Sequence, residues 1–163
     1  MDKSHHKYIF LDIDGPLNTG RNNFLNPERY RHHFDNEAVG NLRWIIDNTV
    51  AEIVITSSWR HMGLARIKKL WRDWNLPGEI VGCTPGAWGE AETFDIRGLE
   101  IQQWLDNNTD KPYRFVVIDD MTDDEALDHQ KVYWITVDSH CGITKQNADN
   151  AISILNGIDG YCK

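Results

Sequence analysis

Two carboxylates one residue apart, Asp12 and Asp14, close the segment Phe10-Leu11-Asp12-Ile13-Asp14-Gly15 directly after an apolar run. A second acidic pair, Asp119 and Asp120, closes the run Phe115-Val116-Val117-Ile118 in the same way. Carboxylates crowded at the end of a buried strand raise one another's pKa, and desolvation adds to the effect, so a bound cation is the natural way to keep them ionised. An all-oxygen donor set suits a hard cation, most simply Mg²⁺. A third apolar run ends in Thr56-Ser57-Ser58-Trp59-Arg60, which places hydroxyl and backbone donors at a strand-to-helix turn where an anion is favourably held. Cation, carboxylates and anion cradle would then share one face.

Such groups meet only if a fold carries them to one edge. Five apolar runs predict strands: Tyr8 to Asp12, Glu52 to Thr56, Glu79 to Val81, Phe115 to Asp119 and Val132 to Thr136. Their nearly continuous hydrophobicity is that of strands covered on both faces, and they alternate with segments of helical period, the pattern of a parallel α/β sheet. Val39, Leu42, Ile45 and Ile46 predict one amphipathic helix. Leu64, Ile67, Leu70, Trp71 and Trp74 predict a second, and Leu99, Ile101, Trp104 and Leu105 a third. A last helix is expected from an N-cap at Thr144, through Ala148, Ala151, Ile152 and Leu155, to Gly157 as its C′ residue. Asn18 to Asn36 and Thr84 to Thr93 read as loops beside the strand ends, where binding residues concentrate. In open α/β sheets the ligand crevice lies outside the carboxyl ends of the strands, which would unite the two acidic tips if their strands are neighbours.

The 163 residues, 40% of them apolar, are enough for one core, and a single domain over residues 1–163 is expected. No apolar stretch approaches the roughly 18 residues of a membrane span. Met1 to Lys7 lacks the apolar region of a secretory signal, and Cys83, Cys141 and Cys162 show no disulfide or zinc spacing, so a reducing cytoplasm is the expected location. The 7 histidines show no ligand spacing, and the net charge of −8 argues against a general nucleic-acid coat. Trp59, Trp71, Trp74 and Trp104 read as packing residues.

The ordered set Asp12-Ile13-Asp14-Gly15-Pro16-Leu17, Ile55-Thr56-Ser57-Ser58 and Ile118-Asp119-Asp120 resembles the motifs of the haloacid dehalogenase-like (HAD) hydrolases. More narrowly, Phe10 to Gly15 with Asn18, Thr56 to Arg60, Arg97 before Ile101 and Trp104, and Gly142-Ile143-Thr144 resemble the HAD domains associated with RNA repair (Swiss Army Knife) proteins. The resemblance implies a three-layer Rossmann-like α/β fold with a mostly parallel central sheet and a minimal cap. It implies Asp12 as the nucleophile that forms an aspartyl-phosphate, and Asp14 as general acid and base. An acid at Asp14 favours phosphoryl transfer over dehalogenation. Mg²⁺ would be held by Asp12, Asp120 and the Asp14 carbonyl, with Asp119 orienting the outer shell and Asp124 at the additional acidic position. Thr56 would bind the phosphoryl group, Ser57 would help, and Arg60 would add charge at the rim.

The family's basic residue, normally a lysine, has two contenders here: Arg97 at a helix start and Lys111 in the connector Asp110-Lys111-Pro112, with Arg97 preferred on the narrower pattern. Pro16, after the glycine, is a second departure. The expected activity is Mg²⁺-dependent hydrolysis of a phosphomonoester, on a nucleic-acid phosphate end or a nucleotide. The competing reading is a HAD-fold module that binds metal or phosphate without turnover, and transfer to an acceptor other than water would use the same residues. No obligate protein partner is evident. Neither expected loop is long enough for a large cap; Asn18 to Asn36 could form a flap carrying Arg21, Arg29 and Arg31, and Trp88 either stacks on a base or anchors its loop. Arg60, Arg66, Lys68, Lys69 and Arg72 form a basic stretch that is either a solvated helix face or a track for a nucleic-acid end.

Overall fold

A computed structural model of the chain describes residues 5–25, 33–86, 96–110 and 112–157. Five strands form one sheet: β1 (His6–Leu11), β2 (Glu52–Ile55), β3 (Ile80–Cys83), β4 (Tyr113–Asp119) and β5 (Trp134–Thr136). Their order is β3-β2-β1-β4-β5, and every neighbouring pair is parallel. The helices are α1 (Gly20–Leu25), α2 (Asn36–Thr49), α3 (Leu64–Asp73), α4 (Ile96–Asn108) and α5 (Lys145–Asn156).

Alternation along each strand sends successive side chains to opposite layers. Ile9, Leu11, Ile53, Ile55, Val116 and Ile118 meet Leu42 and Ile45 of α2, Ile67 and Trp71 of α3, and Ala151 and Leu155 of α5. Tyr8, Phe10, Val54, Phe115 and Val117 meet Ile101, Trp104 and Leu105 of α4. Phe10 is wholly buried, edge-on to Trp104 and Phe115 with ring centroids 5.6 and 5.8 Å away. Burying a side chain of this size contributes roughly 1.5–3 kcal/mol, so both layers hold β1 at the centre. The α/β, three-layer, Rossmann-like architecture expected from the sequence is the one observed, and the sheet is parallel throughout.

Parallel register sets the site. Leu11 pairs with Ile55 on one side and Ile118 on the other, so the next residues, Asp12, Thr56 and Asp119, leave three adjacent strands at one level. The Asp12 N–H donates to the Ile118 carbonyl and the Thr56 N–H to the Leu11 carbonyl, each at 3.0 Å, extending the ladder through the tips.

Three expectations are corrected at element ends. Val132 and Tyr133 belong to a 3-10 helix (Asp128–Tyr133), not to β5; the buried Gln130 side chain accepts from the Leu127 N–H and donates to the Gly98 carbonyl, fixing a turn that β-branched composition does not reveal. β3 begins at Ile80 and extends to Cys83. The stretch from Asn18 is not all loop: Thr19 accepts from the Asn22 N–H as α1 forms, and Asp35 caps α2 by accepting from the Glu37 and Ala38 N–H groups. Thr144 caps α5 and Gly157 ends it in the left-handed region, as expected. Leu99 of α4 is exposed despite its spacing.

Candidate active site

Asp12 follows β1 and is almost fully buried, as are Thr56, Ser57 and Asp119. Asp12 Oδ1 accepts from the Ile13 N–H at 2.8 Å, and the Ser57 hydroxyl hydrogen-bonds its carboxylate. Burial pushes the Asp12 carboxyl above its ordinary pKa; Arg97, the Ile13 N–H and Ser57 oppose that shift, and Asp120 adds to it. Asp119 has no exposed surface, and burial raises its pKa from 3.8 to about 7, with Arg97 opposing and Asp12 and Asp120 reinforcing. Its Oδ1 accepts from the Met121 N–H at 2.9 Å.

One carboxylate oxygen from each of Asp12, Asp119 and Asp120 lies within 4.8 Å of the others. Three hard oxygens that converge this closely, two of them desolvated and resisting ionisation, fit a divalent cation such as Mg²⁺. The close approach depends on Gly15, whose φ of +100° lies outside the ordinary range for other residues. A Cβ there would stand 2.8 Å from Asp120 Cβ, Cγ and Oδ2.

Asp14 is exposed and held at both oxygens: Oδ1 accepts from Asn18 Nδ2 at 2.7 Å and Oδ2 from Trp59 Nε1 at 2.8 Å. Thr56 is fully buried, and its hydroxyl has no hydrogen-bond partner among the described residues. Buried hydroxyls are almost always paired, so one without a partner among the described residues, at a strand tip beside a carboxylate cluster, is a donor available to a ligand oxygen. The Thr56 carbonyl, by contrast, accepts from Arg60 Nη1 and Arg97 Nη1, each at 2.6 Å. Ser57 caps the 3-10 helix Ser58–Met62 by accepting from the Trp59 N–H.

Arg97 Nη1 also lies 3.1 Å from Asp119 Oδ2, an ion pair without hydrogen-bond alignment. Arg97 is thus the cation that meets both the second and the third motif. Lys111 lies outside the described residues, as do Arg29, Arg31 and Trp88. The Arg60 guanidinium is turned inward instead of standing at the rim: Nη2 pairs with the buried Glu100 at 2.9 Å. Asp124 is exposed on a 3-10 turn, accepts from the Thr122 hydroxyl at 3.1 Å, and is not among the three converging carboxylates. Arg21 pairs with Asp35 and Glu37 at the start of α2, so it is engaged in holding that helix.

Trp59 packs against the core as expected, and its indole also holds Asp14, a role signalled in the sequence only by its place inside the motif Thr56 to Arg60. Glu100 was missed altogether, because nothing local marks a partner 40 residues from Arg60.

No curated protein and no solved structure matches the chain. The family described as the HAD domain in Swiss Army Knife RNA repair proteins matches residues 8–148, from β1 into α5. That span takes in all the strand tips described above, and the chain belongs to this family of HAD domains.

Proposed function

We propose that the chain is a Mg²⁺-dependent phosphomonoester hydrolase working through an aspartyl-phosphate on Asp12. The observation that carries this reading is the buried Thr56 hydroxyl, without a hydrogen-bond partner among the described residues, one strand away from the buried Asp12 carboxylate. A phosphoryl oxygen supplies the acceptor that hydroxyl lacks. Membership of a HAD family supports the same chemistry, and the occurrence of that family in RNA repair proteins supports a nucleotide or nucleic-acid phosphate end as substrate.

In this reading a carboxylate oxygen of Asp12 attacks phosphorus and the bond to the leaving oxygen breaks. Asp14, steered by Asn18 and Trp59, donates its proton to that oxygen. Asp14 then takes a proton from water, which attacks the aspartyl-phosphate, releases phosphate and restores Asp12. Thr56 and Ser57 bind phosphoryl oxygens, and Arg60 and Arg97 fix the Thr56 carbonyl and hence the cradle. Mg²⁺, held by Asp12, Asp119, Asp120 and the Asp14 carbonyl, would neutralise carboxylate and phosphoryl charge. Asp124 stays at the surface of this arrangement, and Lys111 is left as the alternative cation. Positioning and charge neutralisation provide most of the rate enhancement.

Acid-quenching the enzyme during turnover of a ³²P-labelled phosphomonoester tests the reading. A hydroxylamine-labile label on the peptide containing Asp12 is expected. Turnover at the wild-type rate by a folded Asp12→Asn protein would exclude the covalent route.

A further inference from the structure

α3 turns one face to the core and divides its basic residues between two others. Ile67 and Trp71 point into the core. Arg66, Lys69 and Asp73, at i, i+3 and i+7, share a second face, which borders an open groove of about 740 Å³. Lys68 and Arg72 lie off that groove.

Trp59 and Trp74 form the groove's aromatic wall, and Asp14 is the one proposed catalytic residue that lines it. Both indoles are braced by the buried Phe34, tilted against Trp59 at 6.0 Å and edge-on to Trp74 at 5.5 Å. Trp74 nevertheless keeps 41% of its surface exposed. Braced, exposed aromatic surface is suited to stacking a planar ring. Lys69 is paired with Asp73, whereas Arg66 has no ion-pair partner among the described residues. Arg66 is therefore the cation of the groove left without an ion-pair partner among the described residues, and is suited to an anion.

Asp14 is the residue that would protonate the leaving oxygen, so the groove it lines lies on the leaving-group side of the scissile bond. We infer that this groove is the leaving-group subsite and takes a nucleoside carrying a second phosphate, an inference that rests on the hydrolase reading. The base stacks against Trp59 and Trp74, the second phosphate meets Arg66, and the phosphoryl group to be cleaved reaches Asp12.

Calorimetric titration of the Asp12→Asn protein in Mg²⁺ tests this, with adenosine 3′,5′-bisphosphate compared against adenosine 5′-monophosphate and glucose 1,6-bisphosphate. The nucleoside bisphosphate is expected to bind at least about tenfold tighter than either. Adding Arg66→Gln should remove the advantage over the monophosphate, and adding Trp74→Leu should remove most of the advantage over the sugar bisphosphate. Arg72→Gln, off the groove, should change neither. Equal affinities for the three ligands, or a preference that survives Arg66→Gln, would overturn the subsite. Phosphate release by the wild-type protein from para-nitrophenyl phosphate and from the three ligands is read separately: its absence with all of them, beside an Arg66-dependent preference, would overturn the hydrolase reading and leave the nucleotide groove standing.

Discussion

Arg97 Nη1 stands 3.1 Å from Asp119 Oδ2, joining the first turn of α4 to the tip of β4. The same nitrogen donates to the Thr56 carbonyl at the tip of β2. One guanidinium therefore offsets charge in the carboxylate cluster while fixing the backbone of the proposed phosphoryl cradle.

Replacing Arg97 should disturb both functions. Its positive charge holds down the pKa values of Asp12 and Asp119. Arg97→Gln is expected to reduce phosphomonoester turnover by about 100-fold, the scale of losing one transition-state charge partner. It should also move the acid limb of Mg²⁺ binding to higher pH, with Arg97→Lys intermediate. Calorimetric Mg²⁺ titrations across pH, alongside kcat, check both effects.

The raised pKa of Asp119 gives a stability profile with a defined sign. Between 3.8 and about 7 the unfolded chain ionises at this position while the folded protein retains its proton. Metal-free stability should therefore fall as pH rises through that window, by at most about 1.4 kcal/mol per unit. Asp119→Asn should flatten the slope. Mg²⁺ affinity should rise over the same range, because binding displaces the proton. Urea unfolding at several pH values, with EDTA and with Mg²⁺, measures all three.

Gly15 is predicted to be irreplaceable for metal binding. Gly15→Ala places a methyl 2.8 Å from the Asp120 carboxylate at a φ of +100°. Strain of that kind costs about 1–3 kcal/mol. The melting temperature and the Mg²⁺ dissociation constant should both worsen, and Asp120→Asn should weaken Mg²⁺ binding without the same loss of stability.

Thr56→Val separates folding from chemistry. The hydroxyl satisfies nothing among the described residues, so the nearly isosteric valine should leave stability unchanged or improve it by up to about 1 kcal/mol. Turnover should nevertheless fall by about tenfold or more. Thermal unfolding and steady-state kinetics on one preparation distinguish these effects.

The sheet was largely legible because a strand covered on both faces has to be apolar throughout. β1, β2 and β4 announce themselves in this way, and parallel register aligns their tips, so the sequence pattern groups Asp12, Thr56 and Asp119. Local composition failed where distant side chains decide. Val132 and Tyr133 look like strand but follow the turn that Gln130 anchors to Gly98. The inward course of Arg60 depends on Glu100, and the hold on Asp14 depends on Trp59, partners set by packing that no spacing rule encodes.

The central claim is that Asp12 acts as the nucleophile and needs a divalent cation beside it to neutralise charge. The direct measurement is phosphate release from para-nitrophenyl phosphate, nucleotides, sugar phosphates and phosphorylated oligonucleotides, with and without Mg²⁺, by the wild-type protein and Asp12→Asn. Mg²⁺-dependent release by the wild type, reduced at least about 1,000-fold in a folded Asp12→Asn protein, is the predicted result. Release that persists in Asp12→Asn, or no release from any substrate by a wild-type protein that binds Mg²⁺, would contradict it.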